Sequence, residues 1–229
     1  MRRSSKIANI SSASLAGFGF NTVYAIIDKW SLQEFCWSAW LAALFFSWSC
    51  VVVGLIRVIL NVRLLKQELK SKFSFLRNIS DPVFILLLCL AAMATAWIMY
   101  NLYCYLFGFY GLFLSVFAEM QPHSYFGRNG FINSDFFTPV MYLLVKFWPM
   151  IVGVLVSNLD IFSKVAPWRL MLLPFRSGEI VRIHVMIVIM PFLCLLAWAI
   201  FRQGYQPITI IILMGIFYFF APPNRLRYN

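Results

Sequence analysis

One lysine lies in the middle of an apolar run, and it is the residue of this sequence best placed to do chemistry. Lys146 is about ten residues into the run 136–156, so it is predicted near the middle of a bilayer if that run crosses one. A lysine at this depth costs about 2.5–3.5 kcal/mol on insertion scales. It could bind a proton, an ion or an anion inside a helix bundle. Alternatively, it donates to a backbone carbonyl of a neighbouring helix, or its long side chain reaches the membrane surface.

No carboxylate lies inside an apolar run as an evident partner for Lys146. Glu119 and Asp135 bracket the longest polar loop and could reach the lysine if that loop folds inward. Asn101, within another apolar run, is a further candidate partner. Lys146 and Asn101 are therefore candidate polar sites inside the membrane.

Arg182 and His184 lie at the start of the run 180–201. They are two residues apart, so on a helix they point in different directions. The favoured interpretation is topological: Arg182 marks the cytoplasmic surface, and His184 is a hydrogen-bonded helix residue just inside it. A proton relay with Glu179 is the alternative, because a histidine titrates near neutral pH. Both residues are kept as candidate polar sites.

Patterns for catalysis, metal binding or cofactor binding are not found in the sequence. The two histidines, His123 and His184, are predicted on opposite sides of the membrane, whereas a zinc site needs three or four converging ligands. The five cysteines lie inside apolar runs without a C-x-x-C pair, and a buried free cysteine behaves as a small hydrophobe. The sequence has no nucleophile elbow, zinc-protease motif, P-loop or dinucleotide pattern. No catalytic residue, metal or cofactor is therefore predicted.

The composition predicts an all-α integral membrane protein. Of the 229 residues, 62% are hydrophobic and 12% charged, against about 45–50% and 25% in soluble domains. The net charge of +11 would indicate nucleic acid in a soluble protein, but basic residues beside apolar runs mark topology and meet anionic lipid headgroups. The expected partner is the lipid bilayer and not nucleic acid.

The 24 Phe, 10 Tyr and 8 Trp are interpreted as lipid contacts and helix packing, with docking of a quinone, pigment or lipid as the alternative.

Residues 1–229 are interpreted as one membrane domain with a bundle of about six transmembrane helices. Ser31 and Glu34 have capping-box spacing at the start of the second run, and Asp81-Pro82 is a start signal for the third. The first run is interpreted as a retained helix and not a signal peptide, and its small residues would let another helix approach closely. After Arg57 the second helix is predicted to continue as a basic amphipathic extension on the membrane surface. The predicted spans are residues 7–27, 35–56, 82–104, 136–156, 180–201 and 207–221.

The uncharged stretch 82–118 is too long for one crossing. An unbroken helix of this length would reach roughly 55 Å, against about 30 Å of hydrocarbon. The predicted break points are Asn101, Gly108 and Gly111. The aromatic-rich segment from Tyr103 to Phe117 is then expected to lie in the interface or to re-enter the membrane.

The basic residues collect in alternate gaps between the six predicted spans. With the N-terminus in the cytoplasm, fifteen of the nineteen lie on the inner side, namely Arg2, Arg3, Lys6, Arg57, Arg63, Lys66, Lys70, Lys72, Arg77, Lys164, Arg169, Arg176, Arg182, Arg225 and Arg227. The outer side has three, Lys29, Arg128 and Arg202. This bias predicts that both termini are cytoplasmic, in a bacterial inner membrane or an equivalent. The inner segment 157–179 is expected to be interfacial because of its Trp168, Arg169 and Arg176.

Three functions are compatible with these features, in the following order. The first is a non-catalytic accessory or structural subunit that packs against other membrane protein subunits, because the spans carry almost no charge. The second is a small solute or ion transporter or channel with Lys146, and Asn101 with it, on the pathway. The third is a lipid-active or redox membrane enzyme. An enzyme is the least expected class, since no cluster of acids or histidines is found at the predicted helix ends.

Overall fold

A computed structural model describes residues 12–62, 79–117, 137–176 and 195–219, and single positions at 65, 67, 69, 71, 189, 192 and 193. Every regular element in these ranges is a helix, as the composition predicted. By length and composition, three of the described helices could cross a membrane: Leu32–Leu60, Asp81–Leu112 and Val140–Ser157. Two further apolar helices, Ser12–Ile27 and Tyr205–Phe219, are shorter. The described part of the chain is therefore helical, with three helices of membrane-spanning length.

The helices are named in chain order. They are α1 (Ser12–Ile27), α2 (Leu32–Leu60), α3 (Asp81–Phe117), α4 (Phe137–Ser157), α5 (Leu159–Lys164), α6 (Pro167–Met171), α7 (Leu173–Arg176) and α8 (Tyr205–Phe219). A 3₁₀ turn, Arg202–Gly204, precedes α8. Most of the predicted span 180–201 lies outside the described residues, although residues 195–201 are helical.

The helix α2 begins at the predicted capping box. The Ser31 backbone N–H donates to Glu34 Oε2 over 2.7 Å, and the Glu34 backbone N–H donates to Ser31 Oγ over 3.2 Å. The two bonds satisfy donors that the first turn of a helix otherwise leaves open. The aromatic and small residues that follow are buried on nearly all sides, so α2 is the central helix of the described structure.

The second helix continues beyond Arg57 as predicted, but only to Leu60. The prediction of one unbroken helix is wrong, because a turn at Asn61 interrupts it. Asn61 is its C-cap, and its side-chain amide donates to the Arg57 carbonyl over 2.8 Å. An asparagine that bonds the backbone in this way competes with the regular helical ladder. Of the following residues, positions 62, 65, 67, 69 and 71 are described, and they are helical again.

The predicted break in the uncharged stretch is also wrong. The helix α3 starts at Asp81 and runs to Phe117 without interruption through Asn101, Gly108 and Gly111. Its first backbone bond, from Phe84 N–H to the Ser80 carbonyl, places the capping residue one position earlier than predicted.

Packing against α2 explains why α3 does not break. The Trp40 indole N–H donates to the Phe107 carbonyl over 2.9 Å, and the rings of Trp48 and Tyr100 stack with centroids 5.5 Å apart. These two contacts show that α2 and α3 are antiparallel. The aromatic segment after Tyr103 is therefore the part of α3 that packs against the first half of α2. The helix α2, with 29 residues, is long enough to extend beside this segment.

The helices α1 to α4 alternate in direction along the chain. The rings of Tyr24 and Trp148 lie 6.2 Å apart, and Gly17 approaches Gly153, so α1 and α4 are antiparallel. The start of α2 meets the middle of α4, and Phe46, further along α2, contacts Phe162 in α5, the helix that follows α4. The helices α2 and α4 are therefore parallel. Thus α1 and α3 run one way, and α2 and α4 run the other. Consecutive membrane crossings require such alternation, and among these four helices α2, α3 and α4 are long enough to cross.

Three short helices after α4 fill the segment that was predicted to be interfacial. They pack against the second half of α2, where Leu170, Met171 and Leu173 are buried. Gly54 makes the close approach of α6 feasible, because a Cβ atom there would lie 3.0 Å from the Pro167 carbonyl oxygen. The Tyr103 hydroxyl donates to the Met171 carbonyl over 2.8 Å and thereby joins α3 to the same region.

Candidate functional site: the Lys146 ion pair

Lys146 lies at a kink in α4. Phe147, the next residue, has non-helical dihedral angles (φ −112°, ψ 18°), and Pro149 follows inside the helix. A proline has no backbone N–H to donate, and its ring clashes with the carbonyl four residues earlier, so it distorts the turn before it. The Phe147 ring is fully buried and meets the Trp30 ring edge-on, with centroids 5.2 Å apart. The buried ring fixes the kink against the turn between α1 and α2.

The ammonium group of Lys146 forms an ion pair with Glu34. Lys146 Nζ contacts Glu34 Oε1, while Glu34 Oε2 accepts the Ser31 backbone N–H over 2.7 Å. The side chains of Lys146 and Glu34 are 43% and 19% exposed. Lys146 Nζ also lies 5.7 Å from the centroid of the Phe147 ring, a distance at which a ring face attracts a cation. The three residues Ser31, Glu34 and Lys146 are called the helix latch below, because they join α2 to α4.

Lys146 was predicted near the middle of the bilayer, but the helix latch places it near one end of α2. The lysine lies in the middle of its own helix, as predicted, but it faces the first turn of α2. The nine residues of α4 before Lys146 therefore extend past the start of α2. The middle of α4 therefore lies level with the start of α2 and not with its middle, because the two helices are staggered along their axes.

The partner of Lys146 was missed in the sequence. The capping box explained Glu34 completely, although a carboxylate has two oxygens and a cap uses one of them. The signal that could have identified it was its place in the first turn of α2, at the edge of a long buried run. Asn101, the alternative partner, is exposed on α3 and its amide donates to the Trp97 carbonyl of the same helix over 2.8 Å. The structure does not bring Lys146 and Asn101 together.

The remaining candidate residues lie outside the described part of the chain. They are Arg182 and His184, together with their proposed neighbours Glu119, Asp135 and Glu179. Their predicted roles stay predictions.

A second polar cluster lies where α1, α4 and α8 meet. Asn21 is fully buried, and its side-chain amide donates to the hydroxyl of Tyr218. A Cβ atom on Gly153 would lie 2.7 Å from that hydroxyl, so the glycine leaves the space for this bond. A Cβ atom on Gly17 would lie 2.8 Å from the Gly153 carbonyl oxygen. The prediction that small residues of the first helix permit close approach is confirmed at Gly17.

The polar groups of both clusters hold helices together by an ion pair or a hydrogen bond. In the helix latch each charge has a partner of opposite sign, and in the second cluster an amide and a phenol bond each other. Within the described ranges no three His, Cys, Asp or Glu side chains come together as metal ligands would. The arrangement can hold helices in register, and it presents neither a nucleophile beside a base nor a set of converging ligands in those ranges.

The fold and the site define a class, a helical protein in which three of the described helices are long enough to span a membrane and an ion pair joins two helices. Comparison with known proteins adds no closer assignment: no family model, no curated protein and no solved structure matches the chain.

Proposed function

We propose that this chain is a multi-pass membrane protein that serves as a non-catalytic accessory or structural subunit of a membrane assembly. It crosses the membrane about six times, with both termini in the cytoplasm, in a bacterial inner membrane or an equivalent. The uneven distribution of basic residues supports this topology. The alternating directions of α1 to α4 are compatible with it.

The observation that carries the proposed function is the outer face of α3. Among the described elements, α2 is the helix against which α3 packs extensively. The opposite face of α3 is exposed along most of its length, with apolar residues such as Leu90, Trp97 and Ile98 at 48%, 69% and 58% exposure. Lipid alone could cover such a surface, so apolar exposure by itself does not indicate a protein partner.

Asn101 distinguishes this face from a surface built for lipid. It is exposed in the middle of a 37-residue helix whose only charged residue is Asp81 at its start. Its amide makes one bond, to a carbonyl of its own helix, which leaves its carbonyl oxygen without a partner among the described residues. Polar side chains in hydrocarbon hydrogen-bond across helix interfaces, and small residues let the two backbones approach. Ala94, also exposed, lies two turns away on the same side.

The proposed occupant of this face is a transmembrane helix of a different subunit, with a polar group at the depth of Asn101. The transport alternative has less support, because Glu34 neutralises the charge of Lys146 and fixes its position. The lipid-active or redox enzyme has no specific observation in its favour.

Photo-crosslinking in native membranes tests the proposed function. A photoreactive residue at Ile98 of α3 is expected to give one protein adduct of defined mass, whereas the same residue at Ile212, exposed on α8, gives none. The substitution Asn101→Leu is expected to abolish the adduct, because it removes the hydrogen bond between the helices. Thr95→Val, on the same helix, is the control and should leave it intact, because the Thr95 hydroxyl bonds its own helix.

Two outcomes would overturn the assignment. An adduct that survives Asn101→Leu would show contact without the proposed recognition. An adduct of twice the mass of this chain would show that the face binds a second copy and not another subunit.

A further inference from the structure

The helix α4 ends about halfway along α2. The two helices are parallel, and the helix latch sets Lys146 level with Glu34. From Lys146 to its end at Ser157, α4 rises about 16 Å. The charges of Glu34 and Arg57 bracket the uncharged run of α2, and about 35 Å of helix separates them. The helix α4 therefore stops near the middle of the run in which α2 would cross a membrane.

The contacts of α5 and α6 agree with this alignment. The Phe162 ring of α5 meets the ring of Phe46, with centroids 5.8 Å apart. Phe46 lies midway in sequence between Glu34 and Arg57. The helix α6 approaches α2 nearer to Arg57, at Gly54. The second half of α2 is thus accompanied by short helices and not by a continuation of α4.

Side chains satisfy the backbone groups that these breaks leave open. At the end of α4, the Asn158 amide donates to the Val154 carbonyl over 2.7 Å. At the end of α5, Arg57 Nη1 donates to the carbonyl oxygens of Phe162 and Val165, over 2.8 Å and 2.5 Å. Backbone that departs from a regular helix at membrane depth is tolerated where protein covers it or where it lines a water-filled cavity.

Two charged side chains of α5 distinguish between these two kinds of cover. Asp160 and Lys164 pair over 3.0 Å, and their side chains are 76% and 59% exposed. Ser163, between them, is also exposed. Charged residues within a membrane almost always face the bundle interior or water, and not lipid. An exposed ion pair on a helix that meets the middle of α2 therefore indicates water beside α5.

We propose that α4 to α7 form one discontinuous crossing, and that a narrow water-filled crevice from the inner side reaches Asp160 and Lys164. The crevice admits water and small hydrophilic solutes as far as the break after α4. Discontinuous helices bring polar groups and open backbone close to the middle of a bilayer. The proposal rests on the crossing of α2 in the topology proposed above, and it involves neither the outer face of α3 nor the helix latch.

Cysteine labelling in inside-out membrane vesicles tests the crevice. Ser163→Cys places a thiol beside the ion pair of α5, and a small charged methanethiosulfonate is added to the inner side. We expect this thiol to react at least roughly tenfold faster than that of Val52→Cys, because a thiol that faces lipid stays protonated and unreactive. Val52 is 53% exposed on α2. A maleimide on a large polyethylene glycol is expected to be excluded from Ser163→Cys. The wild type, with its own cysteines, is the blank.

Gln67→Cys is the control for a residue on the membrane surface. Gln67 is exposed beyond the end of α2, and its cysteine should react with both reagents. Equal reaction of Ser163→Cys and Gln67→Cys with the large reagent would place α5 on the surface, and reaction of Ser163→Cys with neither reagent would exclude water beside it. Either result would overturn the crevice. Fast reaction of Val52→Cys with the small reagent would show that α2 does not face lipid, and the proposed topology would fall with the crevice.

Discussion

Gly17→Ala is expected to destabilise the bundle by about 1–3 kcal/mol relative to Gly19→Ala. A Cβ atom at Gly17 would lie 2.8 Å from the Gly153 carbonyl oxygen and 3.0 Å from a ring carbon of Tyr218. The first of these is a backbone atom, so a rotamer change cannot relieve the clash. The helix α1 would have to move away from α4, and the bond between Asn21 and Tyr218 would be strained. Reversible unfolding in mixed micelles measures the difference.

Gly19 is the matched control, because it lies on the same helix and a Cβ atom there would meet nothing within 4 Å. Gly19→Ala is expected to be neutral or slightly stabilising, since alanine forms helices better than glycine. If both variants lose the same stability, or neither loses any, the close crossing of α1 and α4 is not present in the folded protein.

The second large effect is expected at the helix latch. Glu34→Gln and Lys146→Gln should each destabilise the protein, because each leaves the other charge without its partner beside a largely apolar bundle. The double variant should lose less than the sum of the single variants. We expect a coupling energy of about 1–2 kcal/mol, within the range for contacting residues. Unfolding of the four proteins of this double-mutant cycle gives the value.

The ion pair of Asp160 and Lys164 provides the comparison. It joins residues four apart on one short helix, and both side chains are more exposed than those of the latch. Its coupling energy should stay below about 0.5 kcal/mol. A latch coupling no larger than this would mean that Lys146 is not held by Glu34, and the transport alternative would regain its candidate residue.

Local signals in the sequence were read correctly where one or two residues determine the structure. The bonds of the capping box at Ser31 and Glu34 need only residues three apart. The start of α3 likewise depends on neighbours, and it was predicted to within one residue, since Ser80 and not Asp81 is the cap. The close approach at Gly17 was predictable in kind, because glycine is the residue that permits it. The identity of the helix that approaches was not, since it depends on tertiary packing.

The length of α3 and the partner of Lys146 are tertiary properties, and this explains both errors. Asn101, Gly108 and Gly111 weaken a helix considered alone, but packing on α2 outweighs a penalty of about 1 kcal/mol per glycine. In the sequence, the capping box accounted for Glu34, so no second partner was predicted for its carboxylate. Only the stagger of α2 against α4 brings its second oxygen to Lys146, and no spacing along the chain encodes that stagger.

The mass of the protein extracted from its native membrane in mild detergent tests the central claim most directly. A subunit of a membrane assembly is expected as a complex of fixed stoichiometry with another chain, and Asn101→Leu is expected to release it at its own mass of 26.6 kDa. Recovery of both the wild type and the variant at 26.6 kDa, with native helical content, would contradict the proposed role.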